Sequence, residues 1–116
     1  MKQPGQVVLF RFPQTDLNEG KLRPAVLIKK VPSQYDDWLV CMVSSQLRHF
    51  DPDFDEVVRE SDDDYSSSGL KVASIIRVGR MAVVDESILV GSIGEISPTR
   101  LTRITDRLAS WLKSGG

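Results

Sequence analysis

The chain has 116 residues, a formal net charge of −1 and 41% hydrophobic residues. That size suits one domain with a genuine core and calls for no metal or disulfide staple. One cysteine excludes a disulfide framework and fits a reducing cytoplasm. No apolar run is long enough to span a bilayer and no signal-peptide pattern opens the chain, so no membrane partner is expected.

The small net charge conceals segregation. Residues 51–64 hold eight acidic side chains and one basic, Arg59, while the rest of the chain holds fourteen basic and eight acidic. If the acidic stretch stands apart, the remainder presents a positive surface suited to a polyanion. The alternative is a solvated acidic loop, the commoner fate of such runs.

Residues 7–12 read as the first strand, opened by Pro4 and Gly5 and stopped by Pro13, with Phe10 and Phe12 alternating with Arg11. Residues 14–22 are a polar connection carrying the turn formers Asp16, Asn18 and Gly20, hence a long hairpin loop. Residues 25–29 are the predicted second strand. Its run Ala25, Val26, Leu27, Ile28 is the pattern of a strand covered on both faces. Pro24 fits the first position, where no ladder donor is required, and biases Arg23 toward an extended backbone. Arg23 thus stands on the lip of a rigid strand. Its planar, permanently charged fork suits an oxyanion or a phosphate there. From this dipeptide alone, a solvated rim arginine is the plainer reading.

After a turn at 32–37, residues 38–43 predict a third strand that starts at Trp38 and holds Cys41 as a buried small hydrophobe. It leads into Ser44, Ser45 and Gln46. If strands two and three are antiparallel neighbours, these polar groups face the same opening as Arg23. Residues 54–59 are a candidate short strand, and 62–69 a serine-rich loop. An extended run follows over 70–84, with Gly79 marking a bulge or bend, and 88–94 supply a last short strand.

Ser97 and Pro98 open a helix as N-cap and first helical residue. Leu101, Ile104, Leu108, Trp111 and Leu112 form one apolar stripe. Arg100, Arg103 and Arg107 lie opposite and are read as a solvated face, with RNA or an acidic partner as the alternative. Trp38 and Trp111 are expected to anchor the core and the helix. Short strands followed by one helix predict a mainly β chain, a small, strongly curved antiparallel barrel sealed by its C-terminal helix.

His49 is the only histidine and Cys41 lies in a strand. A His/Cys metal cluster, a Ser-His-Asp triad and a two-histidine ribonuclease site are therefore not expected, nor does the acidic run have calcium-loop spacing. No glycine-rich loop leads into a helix to cradle a phosphate. What remains is Arg23, the hydroxyls of Ser44 and Ser45, Arg77, and Asp16 and Glu19 of the first loop. This set lacks a nucleophile with its base and suits a substrate that carries its own nucleophile. RNA does so, because its 2′-hydroxyl can attack the neighbouring phosphate. The protein then has to position that phosphate and stabilise the developing charge.

Four blocks in order resemble the PemK/MazF family of toxins. The first runs from Gly5 and Gln6 through Gln14, Thr15 and Asp16 to Lys21, Leu22, Arg23, Pro24 and Ala25. The second is Val40 to Val43 with Ser44, Ser45 and Gln46, where the family reads Thr-Ser-Gln or Thr-Thr-Gln. The third is Gly69 and Leu70 with Ser74, Ile75, Ile76 and Arg77, and the last is Ile93, Gly94, Glu95, Ile96 and Ser97 before the Leu101 helix. The resemblance covers almost the whole chain. It implies the SH3-like barrel shared by CcdB, MazF and PemK toxins, acting as a homodimer. The implied activity is sequence-selective cleavage of single-stranded mRNA without metal or cofactor, leaving a 2′,3′-cyclic phosphate and a 5′-hydroxyl. The implied partner is an antitoxin whose disordered acidic tail covers the RNA groove.

Position by position, Arg23 matches the family's catalytic arginine, Ser44 its catalytic hydroxyl residue, and Arg77 an arginine that some members use. Glu19 lies within one position of a loop carboxylate proposed as base. Thr15, Asp16, Lys21, Ser45, Gln46 and Arg80 are the expected RNA contacts. Two departures stand out: Gly79 occupies a position where some members carry an acid, and Ser44 keeps the hydroxyl of threonine while freeing χ1. Arginine is a poor proton donor, with a pKa above ~12, so Arg23 is assigned first to transition-state charge. The alternative reading is a non-catalytic or CcdB-like relative that binds a protein such as DNA gyrase.

Overall fold

The computed structural model describes residues 2–11 and 22–115. Its strands are β1 (Gln6–Arg11), β2 (Leu22–Lys30), β3 (Asp37–Ser44), β4 (Glu56–Val58), β5 (Ser74–Asp85) and β6 (Leu89–Glu95). Its helices are the single turn α1 (Tyr65–Ser68) and the long α2 (Pro98–Lys113), with 3-10 turns at Leu47–His49 and Glu86–Ile88. The serine-rich stretch read as loop therefore contains a helical turn, closed by Gly69 at φ 75°. That conformation is open to glycine at no steric cost.

All six strands belong to one antiparallel sheet in the order β4-β5-β3-β2-β1-β6. This is the expected mainly β, strongly curved antiparallel architecture with its C-terminal helix; the curved sheet stops short of closure, with β4 and β6 at its edges. The physical reason lies in those edges. β4 is only three residues long. α1 packs beside β6, where Ser67 Oγ donates to the Glu95 carbonyl at 3.1 Å. A Cβ on Gly94 would collide with the Ser67 carbonyl, so glycine permits this close approach. Register shifts interrupt the β1–β6, β2–β3 and β3–β5 ladders. Each such bulge increases local twist and bends the sheet.

Both faces of the sheet are apolar as a result. One face packs Val7, Val26, Ile28, Cys41, Ile76 and Val78 against Ile104 and Leu108 of α2. The other gathers Val8, Phe10, Ala25, Leu27, Trp38 and Val40. Alternate residues of β2 enter the two clusters, which is the two-sided burial that its unbroken apolar run predicts. Burial holds the Cys41 thiol, with the Asp55 charge adding to it, up to about 12, so it stays protonated as a core residue.

α2 starts as predicted, with Ser97 Oγ accepting the Arg100 N–H at 3.1 Å and Pro98 in the first turn. Its far end differs from expectation. Trp111 is 50% exposed and meets Phe54 edge-on at a centroid distance of 6.0 Å. The buried residues of α2 stop at Leu108, so Trp111 does not anchor the core.

The arginine face of α2 is paired with carboxylates rather than merely solvated, with Arg103 still 46% exposed. Arg100 is buried, and its guanidinium donates to Asp64, Asp62, Glu56 and the Val57 carbonyl. Arg103 and Arg107 reach the same Glu56 at 2.8 and 2.7 Å. The acidic stretch is thus neither detached nor a bare loop. It folds onto α2 because three carboxylates converge where the helix arginines point, so each side offsets the other's desolvation.

Candidate active site

Strand register brings the sequence-predicted residues together. Ala25 pairs with Met42, and Met42 pairs with Arg77. Directly paired residues share a face of a sheet, so these three lie on one face across β2, β3 and β5. Arg23 and Ser44 lie two residues further along their strands and return to that same face. The β3–β5 shift between Cys41 and Met42 adds residues on β5 between Arg77 and Met81. Val78 turns into the core there, and Arg80 turns outward.

Two adjoining clefts open here. The first, of about 280 Å³, is lined by Arg23, Met42, Ser44, Arg77 and Arg80, together with Pro24 and Val43. The second, of about 620 Å³, shares Arg23, Pro24, Val43 and Ser44 with the first. It continues past Ser45 and Gln46 toward Lys71 and Ser74. The Arg23–Ser44 pair is therefore the wall common to both. No carboxylate lines either cleft among the described residues, while Arg23, Lys71, Arg77 and Arg80 do. Among the described residues, none of these four has an acidic partner. Such a surface attracts a polyanion.

Ser44 is held in place by a local hydrogen bond. Its Oγ accepts the Gln46 N–H at 3.1 Å. That bond restrains the rotamer that serine otherwise leaves free, and the hydroxyl proton is left to donate elsewhere. Gly79 lines neither cleft. A Cβ at that position would meet the Phe54 ring at 3.4 Å.

Thr15, Asp16, Glu19 and Lys21 lie outside the described residues. His49 is exposed in a 3-10 turn and lines neither cleft. Lys71 was missed by the sequence reading. Its only signal was its place directly after the Gly69 and Leu70 block. Among the described residues, no helix is long and apolar enough to cross a membrane.

A family model described as PemK-like, MazF-like toxin of type II toxin-antitoxin system matches residues 3–112. Among curated protein sequences, none matches the chain. A solved structure, an endoribonuclease in complex with its cognate antitoxin from a mycobacterial species, aligns with a TM-score of 0.67 at 14% identity. The alignment covers 97% of this chain and 95% of that one, and at this identity the likeness is one of fold.

Proposed function

The chain belongs to the PemK-like, MazF-like toxins of type II toxin-antitoxin systems, and on that premise we propose that it is an endoribonuclease toxin cutting single-stranded mRNA without metal or cofactor. The observation that carries this reading is the shared wall: Arg23 and Ser44 stand together between two cationic clefts that, among the described residues, no carboxylate lines.

The chemistry follows from the groups present. The substrate's 2′-oxygen forms a bond to phosphorus, its proton leaves, the P–O5′ bond breaks, and the 5′-oxygen takes up a proton. The products are a 2′,3′-cyclic phosphate and a 5′-hydroxyl. Charge builds on the non-bridging oxygens in the transition state. Arg23 meets it with a fixed fork, Ser44 adds a hydroxyl donor, and Arg77 places a second positive charge in the first cleft. Orientation of the ribose against the phosphate supplies much of the remaining acceleration. Glu19, carried over from the family resemblance, is the assigned proton acceptor. Ser45, Gln46 and Arg80 contact the RNA on either side, as Thr15, Asp16 and Lys21 do from the first loop. The toxin works in the cytoplasm as a homodimer and is silenced by an antitoxin whose acidic segment covers the cationic clefts.

A mixed RNA pool incubated with the protein in EDTA tests this. Cleavage is expected to persist, to leave the cyclic phosphate and the 5′-hydroxyl, and to vanish in Arg23→Ala that unfolds at the wild-type temperature. An intact RNA pool together with arrested gyrase supercoiling establishes the protein-binding alternative instead.

A further inference from the structure

The second cleft extends well beyond the reacting pair, and its far side is built with care. Gly69 adopts φ 75°, and a Cβ on it would collide with the Ile93 carbonyl of β6. The Leu70 N–H donates to Ser68 Oγ at 3.2 Å, and Leu70 itself is buried. On the other side, Ser74 Oγ donates to the Val72 carbonyl at 2.9 Å. The backbone around Lys71 is thus fastened at both ends. Lys71 itself is exposed, lines the same cleft as Arg23 and Ser44, and has no carboxylate partner among the described residues. Val72 and Ile93, 54% and 37% exposed, place apolar surface in the same cleft. Arg80 lines the first cleft and not the second, and Lys71 the second and not the first.

We infer that Lys71 is a substrate-binding residue that holds an RNA phosphate on the side of the scissile bond opposite Arg80, so that the strand crosses the Arg23–Ser44 wall from one cleft into the other. The inference rests on the endoribonuclease reading above and assigns the track of the substrate. A compact ammonium on a fastened backbone is a point-charge phosphate ligand, needing no fixed approach angle. Val72 and Ile93 give the adjoining ribose or base a dry seat. Among the described residues the cleft offers no aromatic platform, so the phosphate contact supplies the grip there.

The test uses the full chain and two probes: an RNA oligonucleotide spanning a mapped cut site, and its counterpart with one 2′-deoxyribose at that site, which cannot react. Lys71→Ala, folded as judged by its melting curve, is expected to lose about tenfold in kcat/KM through KM, with kcat unchanged. Lys71→Arg restores most of it. For the deoxy probe, the slope of log Kd against log salt falls in magnitude by about 0.7, the worth of one single-strand phosphate contact. Neutral methylphosphonates placed one at a time abolish the Lys71 effect at one flanking phosphate, and the Arg80→Ala effect at a phosphate on the other side of the cut.

A Lys71→Ala protein that binds and cuts like wild type overturns the inference while leaving the ribonuclease reading in place. So does a loss that is the same whichever phosphate is neutralised. A wild-type protein that cuts no RNA in a varied pool rejects the ribonuclease reading, and the track across a scissile bond falls with it.

Discussion

Arg100 grips both oxygens of Asp64: its Nε and one Nη donate to Oδ2 and Oδ1 at 2.8 Å each, and the two side chains are 6% and 5% exposed. The guanidinium's remaining donors go to Asp62, Glu56 and the Val57 carbonyl. Asp64 in turn accepts the Ser97 N–H at 2.9 Å, the residue that caps α2. One ion pair therefore fastens the first turn of the helix to the acidic stretch.

Loss of one partner leaves the other buried and uncompensated. Arg100→Ala is expected to destabilise the fold by about 3–5 kcal/mol, read as a fall in the urea midpoint. Arg100→Lys recovers only part of this, since one ammonium cannot reproduce a fork shared among four acceptors. An unmoved midpoint in Arg100→Ala contradicts the network.

The same pair sets an acid limit. The Arg100 hydrogen bonds, with the Ser97 N–H assisting, hold the Asp64 carboxyl at about 2 against an ordinary 3.8. Asp62 is also lowered, chiefly by the Arg59 N–H. A folded pKa below the unfolded one means that the stabilisation is fully present above pH ~4 and drains away as pH falls toward 2. For Asp64 the stake is about 2 kcal/mol. Unfolding free energies measured between pH 5 and 2 are expected to drop in the wild type and to change less in Asp64→Asn. Equal slopes in the two proteins refute the assignment.

Ser44 separates the roles of its hydroxyl and its backbone contact. Under the proposed reaction, Ser44→Ala is expected to cost about 10²–10³ in kcat, the usual loss for one transition-state donor. Ser44→Thr is expected to remain active, because Oγ1 can keep the Gln46 N–H bond while offering its proton. Initial-rate measurements on a defined RNA decide it, and an alanine variant with wild-type kcat removes Ser44 from the chemistry.

The two tryptophans diverge. Trp38 is 4% exposed in the second apolar cluster, so Trp38→Ala is expected to cost about 3–5 kcal/mol. Trp111 is 50% exposed and retains an edge-on contact with Phe54. Trp111→Ala is expected to cost about 1 kcal/mol, in line with a single aromatic pair. Thermal melts of the two variants should therefore differ by several degrees, and similar melts count against this division.

Much of the fold was legible because its signals are local. The run from Ala25 to Ile28 announces a two-sided strand, Gly79 a bulge, and Ser97 with Pro98 a helix start, and each appears where expected. The stripe of α2 was read one turn too far, because periodicity reports which residues share a face and not where the sheet beneath that face ends. The arginines of α2 were misjudged for a related reason. A positive helix face reads the same whether water or a carboxylate lies against it, and Glu56 is far from Arg100 in the chain.

By itself the sequence determined the strands, the helix cap, the constrained Arg23 and the hydroxyls after β3, since these depend on backbone preferences of adjacent residues. Only the tertiary structure decided that Arg23, Ser44 and Arg77 share one face, that Lys71 joins Arg23 and Ser44 along a second cleft, that the acidic stretch neutralises α2, and that the curved sheet stops short of closure. Each of these depends on strand register or on contact between distant segments. Register and long-range contact are properties of the assembled core, where burial of both sheet faces and pairing of buried charge are settled together.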